Sequence, residues 1–103
     1  MSVPDEAPGD APAGRAEGTF LIVNELGLHA RAAARLVHLA ATFDAEVELE
    51  KDGQRVNAKS IMGVLLLCGQ RGTEVTVIGS GRDGEDAVAA IGRLIADRFG
   101  EDA

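Results

Sequence analysis

His29 and Arg31 place an imidazole and a guanidinium two residues apart, within the stretch Gly27-Leu28-His29-Ala30-Arg31. The next residues along the chain are rich in alanine and read as the opening of a helix. The first N–H groups of a helix have no acceptor inside it, and the aligned peptide dipoles make that end positive. Such a spot favours an anion, phosphate above all. A nucleophilic ring there can take up a phosphoryl group, and a neighbouring cation can hold the arriving charge. Attack needs the uncharged ring, because the attacking nitrogen must keep its lone pair, and free imidazole changes state near pH ~6.5. On sequence alone, the positive helix end and Arg31 both act against a second positive charge at His29.

The elements that must position these side chains are legible from periodicity. Thr19-Phe20-Leu21-Ile22-Val23 is β-branched and aromatic, a buried strand between Gly18 and Asn24. Over residues 30–41, Ala33, Leu36, Val37, Ala40 and Ala41 recur at helical spacing and predict an amphipathic helix. Residues 45–50 alternate, with Val47 and Leu49 inward and Glu46, Glu48 and Glu50 outward, a strand with one wet face. Lys51-Asp52-Gly53-Gln54 is a hairpin turn, returning as a strand over 55–58. Ser60 is an N-cap for a short helix over 61–67. A strand over 74–78 carries Val75 and Val77 on one face. A last helix over 85–99 has Val88, Ile91, Leu94 and Ile95 as its buried stripe, with Glu85 and Asp86 at its positive end and Arg98 near its negative end. The order β-α-β-β-α-β-α predicts an α+β fold, its helices packed on one face of a mostly antiparallel sheet.

Bulk properties narrow the function. The 103 residues make one domain, and 46% apolar content with only Phe20, Phe43 and Phe99 as aromatics implies an aliphatic core. A net charge of −7 leaves no electrostatic footprint for nucleic acid or an anionic membrane. Residues 1–17 differ from the rest: they hold Pro4, Pro8 and Pro12, the acids Asp5, Glu6, Asp10 and Glu17, and the base Arg15. That composition predicts a disordered tail of net charge −3, leaving −4 on a folded domain over 18–103. The tail has no basic-then-apolar pattern of a secretory signal, and no segment has the length of a membrane span. A soluble cytoplasmic protein is expected, with monomer as the default. The single cysteine, Cys68, fits a reducing compartment, and its apolar run Val64-Leu65-Leu66-Leu67-Cys68 predicts a buried, inert thiol. No Cys/His cluster suggests a metal, and no cofactor is expected.

Gly27-Leu28-His29-Ala30-Arg31-Ala32-Ala33, together with the later segment Asn57-Ala58-Lys59-Ser60-Ile61-Met62-Gly63-Val64, resembles HPr, the histidine phosphocarrier family of the bacterial phosphoenolpyruvate-dependent sugar phosphotransferase system. The resemblance spans roughly residues 18–100 and includes the Asp-Gly-Glu-Asp-Ala opening of the last helix. It implies an open-faced β-sandwich, a four-stranded sheet with three helices on one face. It also implies a phosphoryl carrier rather than an enzyme with its own substrate: phosphate arrives on Nδ1 of the active histidine from phosphorylated enzyme I and leaves to a histidine of an enzyme IIA domain. The family's active histidine and phosphate-contacting arginine fall on His29 and Arg31, with the amides of Ala30, Arg31 and Ala32 around the phosphate. Ser60 matches a serine that an HPr kinase/phosphorylase modifies in some lineages. Ile61 and Met62 match apolar residues that meet both partners, and with Ala34, Arg35 and Leu65 they make the expected docking face. One position departs from the family: Ala32 stands where proline is usual, restoring a donor N–H and removing a rigid ring.

Rival readings rest on the same residues. Ser60 is explained by capping alone, and a regulatory module acting through Ser60 phosphorylation, with His29 idle, is the principal alternative. Gly79-Ser80-Gly81-Arg82-Asp83-Gly84 spells G-x-G-x-x-G between a strand and a helix. No strand comes after that helix to complete a nucleotide-binding unit, so the stretch reads as a flexible turn rather than a cofactor loop. His38 falls half a turn round the helix from His29 at ~100° per residue and reads as a surface residue.

Overall fold

A computed structural model describes residues 15–103. The elements run β1 (Ala16–Leu21), α1 (Ala30–Ala40), β2 (Glu46–Lys51), β3 (Gln54–Asn57), α2 (Ile61–Leu66), β4 (Glu74–Ser80) and α3 (Gly84–Ala96), with a 3-10 turn at Arg98–Gly100 after them. The four strands form one sheet in the order β1-β4-β2-β3, every neighbouring pair antiparallel. The helices cover one face and leave the other bare, so the fold is the expected α+β open-faced sandwich.

Period-2 alternation decides which face is which. Along β2, Val47 and Leu49 are buried among the helices while Glu46 is exposed and Glu48 and Glu50 are half-buried on the bare face. In β1, Glu17, Thr19 and Leu21 point to the bare face and Phe20 turns inward, packing against the core. Thr19 and Thr76 share a cross-strand hydroxyl hydrogen bond of 2.9 Å on that bare face. The core is aliphatic as expected, with Leu36, Val64, Val75, Val77, Ile91 and Ile95 fully buried and Phe99 the one aromatic among them.

Several boundaries differ from those expected from sequence, for identifiable reasons. β1 begins at Ala16 rather than Thr19, so Ala16 and Glu17, assigned by composition to the tail, pair with Gly79 and Ile78. Residues 1–14 of that tail lie outside the described residues. Ile22 and Val23 come after the strand, although Ile22 still exchanges hydrogen bonds of 2.9 and 2.8 Å with Thr73 and Gly72. β2, β3 and β4 are displaced or extended by one or two residues, because ladder pairing rather than side-chain type sets strand ends. The hairpin turn is as expected: Asp52 and Gly53 both have positive φ, 53° and 82°, the pair of left-handed conformations that a tight two-residue hairpin needs.

The last helix stops at Ala96, not at Phe99. Arg98, Phe99 and Gly100 have φ of 56°, 55° and 77°, a left-handed turn that reverses the chain. Two non-glycine residues there cost on the order of 1–2 kcal/mol each, offset by burying Phe99 completely. Cys68 is a further correction. It is exposed, because α2 has ended and a left-handed φ of 56° turns the residue out of the apolar run that precedes it. The Gly79–Gly84 stretch is an anchored turn rather than a loose one. The Asp83 carboxylate accepts from the N–H groups of Asp44 and Ala45 at 2.9 and 2.8 Å, and Gly79 lacks a Cβ where one would meet Gly84 O at 2.5 Å.

Candidate functional site

The loop between β1 and α1 is fixed by packing before any chemistry is considered. Gly27 has φ 66°, and a Cβ on it would strike the carbonyl oxygen of Gly69, so the loop lies directly on the segment after α2. Leu28 donates its N–H to that same oxygen at 2.8 Å and buries its side chain. Asn24 is wholly buried, and its Nδ2 donates to Gly27 O at 2.8 Å. The chain therefore reaches His29 with no freedom to choose its direction.

His29 is the N-cap of α1, extended at φ −75° and ψ 178°, and its Nδ1 accepts from the Arg31 N–H at 3.2 Å. The ring thus sits over the amides of the first turn, with 27% of its side chain exposed. Its other nitrogen meets Glu101, which arrives from the C-terminal turn: Nε2 and Glu101 Oε2 are hydrogen bonded. An ionised carboxylate can only accept and a backbone N–H can only donate, so Nε2 carries the hydrogen and Nδ1 the lone pair. The other Glu101 oxygen accepts from Asn24 Nδ2 at 2.9 Å. Burial pushes the Glu101 carboxyl up, but the hydrogen bonds from Asn24 and His29 and the nearby Arg35 charge outweigh it and hold it below the usual carboxylate range.

One hollow is lined by Glu25, Leu26, His29, Ala30, Arg31, Glu101 and Ala103. Ala30 and Arg31 are exposed in it, whereas Ala32 is fully buried on the core side of the same turn. Among the described residues Arg31 takes part in no ion pair. A guanidinium at the positive end of a helix, with no anion of its own, is placed for an incoming one. Ser60 caps α2 as expected, its Oγ accepting from Gly63 N at 3.1 Å. Next to it Ile61 and Met62 are exposed, 42% and 68%, while Leu65 packs partly into the core. Ala34 is half-buried. Arg35 is exposed, but its guanidinium hydrogen-bonds the Phe99 carbonyl and clasps the C-terminal turn.

Three residues of the site were not foreseen from sequence. Glu101 lies 72 residues from His29 among other acids, with no local signal of its role. Asn24 carried a signal, a polar residue ending an apolar run, since a buried amide must find partners. Leu26, 70% exposed beside the ring, is the kind of apolar residue that a docking rim uses. Among the described residues no group of His, Cys, Asp and Glu could hold a metal.

Comparison with known proteins agrees with this geometry. Residues 16–97 match the family model described as the PTS HPr component phosphorylation site. The chain belongs to the HPr family. It is 49% identical over 80 residues to the phosphocarrier protein HPr of Cupriavidus necator, covering 78% of this chain and 90% of that one. The crystal structure of HPr-C-His from Thermoanaerobacter tengcongensis superposes with a TM-score of 0.82 at 43% identity, covering 85% of this chain and 99% of that one. A structure described as an HPr dimer from the same organism matches at TM-score 0.68 and 44% identity, covering 84% and 99%. As an HPr, the chain is a phosphocarrier of the phosphotransferase system, consistent with a part in sugar transport.

Proposed function

We propose that this HPr is a phosphoryl relay: Nδ1 of His29 accepts the group from phosphorylated enzyme I and passes it to a histidine of an enzyme IIA domain, in the cytoplasm. The observation that carries this reading is the Nδ1 lone pair resting over the first-turn amides, with Arg31 in the same hollow. When phosphate joins Nδ1, the Arg31 N–H that it now accepts from becomes a donor to a phosphate oxygen. Ala30 lines the same hollow and offers a second N–H, and the Ala32 N–H, one step deeper in the turn, is the third donor. The Arg31 guanidinium balances the remaining charge. Docking uses the apolar cluster Ile61, Met62 and Leu65, with Ala34 and Arg35 on α1. Its exposed centre and charged surroundings are typical of transient interfaces. The relay works as a monomer, since each transfer needs one ring and one partner; size-exclusion chromatography at micromolar concentration tests this.

Incubation with phosphoenolpyruvate and enzyme I, with intact-mass measurement afterwards, tests the relay. One acid-labile phosphate should appear on the wild type and none on His29→Ala. A wild type that takes up nothing, yet gains acid-stable phosphate on Ser60 from an HPr kinase/phosphorylase, would establish the regulatory alternative instead.

A further inference from the structure

The left-handed turn at Arg98–Gly100 is an expensive way to end a helix, and the burial of Phe99 is not its only product. It also delivers the Glu101 carboxylate to the far side of the His29 ring. Three contacts keep it there: the buried Phe99 ring, the Arg35 guanidinium on the Phe99 carbonyl, and Asn24 Nδ2 on Glu101 Oε1. Only 14% of the Glu101 side chain is exposed. A surface glutamate used merely for solubility needs none of this support.

We propose that Glu101 is a positioning residue for phosphoryl transfer: its carboxylate keeps the hydrogen on Nε2 of His29 through the whole cycle. Nδ1 is then the nucleophile when the ring is empty and a ready leaving group when it is loaded. The role rests on the relay reading above, and its chemistry balances. In the loading step the Nδ1 lone pair forms the new N–P bond while the donor's P–N bond breaks and returns its pair to the donor nitrogen. Nε2 keeps its hydrogen, so the loaded ring is an imidazolium whose positive charge faces the carboxylate. In the unloading step the N–P pair returns to Nδ1 and the ring leaves as neutral imidazole. No proton has to be found or lost at either stage. Without the carboxylate only the Arg31 N–H, at 3.2 Å, still favours the lone pair on Nδ1, so the Nδ1–H form becomes populated beside the Nε2–H form. The loaded ring also loses Nε2–H more readily, which strengthens the bond to phosphorus.

The test uses the full chain and two variants, Glu101→Ala and the isosteric Glu101→Gln, with nitrogen-15 shifts of the His29 ring read at a pH where it is neutral. The wild type should show the Nε2–H tautomer alone, and both variants a mixture with Nδ1–H. After loading by enzyme I, the phosphohistidine of Glu101→Ala should outlast that of the wild type about fivefold at neutral pH, the scale of one partly exposed charge-assisted hydrogen bond. A merely structural role would leave the tautomer unchanged. Normal phosphate uptake with wild-type tautomer and wild-type lifetime in both variants overturns the positioning role alone. A wild type that takes up no phosphate overturns the relay and this role together.

Discussion

At the scale of single residues, the proposed relay divides the work between His29, which makes the bond, and Arg31, which holds the charge. Removing the guanidinium should leave the nucleophile intact and weaken the stabilisation of the phosphate that forms. Arg31→Ala should therefore slow phosphorylation by enzyme I about ten- to hundredfold in a stopped-flow or quench assay. Arg31→Lys should recover part of the rate, because it keeps the charge but not the two-pronged donor. His38, exposed on α1, should be silent: His38→Ala should load at the wild-type rate. The sequence carried His29 and Arg31 openly because their spacing is local. Glu101 was hidden because its meaning depends on a left-handed turn at Arg98, Phe99 and Gly100, the first two of which read as the tail of a helix. Cys68 misled for the opposite reason: its neighbours are apolar, but the backbone turns it outward at the helix end.

At the scale of elements, close packing between α3 and β1 fixes the frame that carries the site. A Cβ on Gly92 would strike the Phe20 ring, so the glycine is a notch in α3 that admits the aromatic of β1. Alanine is the better helix former by ~1 kcal/mol, which alone would make Gly92→Ala stabilising. Overpacking costs of about 1–3 kcal/mol act against that gain, and the ring contact is close enough for them to win. A net loss of about 1 kcal/mol in urea unfolding is expected. At α2 the sign is simpler. Ser60→Ala removes the side-chain cap on Gly63 N and should cost about 1 kcal/mol. Alternation in β2, helical spacing in α1 and α3, the Asp52-Gly53 turn before β3, the Ser60 cap before α2 and the β-branched runs of β1 and β4 made all seven elements legible in order. Their ends were less legible, since ladder partners and the left-handed turn set those, and neither leaves a mark on hydrophobic periodicity.

At the scale of the whole molecule, two carboxylates tie distant segments together and make stability depend on acid. The N–H of Asp44 holds Asp83 below the usual range against its burial, helped by the N–H of Ala45, its own backbone and the Lys59 charge. Glu101 is held low as well. In the unfolded chain such groups titrate near ~3.9 and ~4.3. A carboxyl that is more acidic in the folded state contributes stability that is complete above those values and is lost as pH falls through the folded ones. Thermal unfolding should therefore show a Tm that is flat near neutrality and drops below about pH 4. Asp83→Asn should lower Tm at neutral pH and flatten the acid decline, because the titrating group is gone.

The approach of the chain's last residues to His29 has a practical consequence. Ala103 lines the same hollow as the ring. An affinity tag joined after Ala103 would emerge where the proposed relay has its partners dock, and a run of added histidines would place foreign imidazoles beside the proposed acceptor. Handles for purification or surface attachment belong instead on the bare glutamate side of the sheet, which the helices leave uncovered.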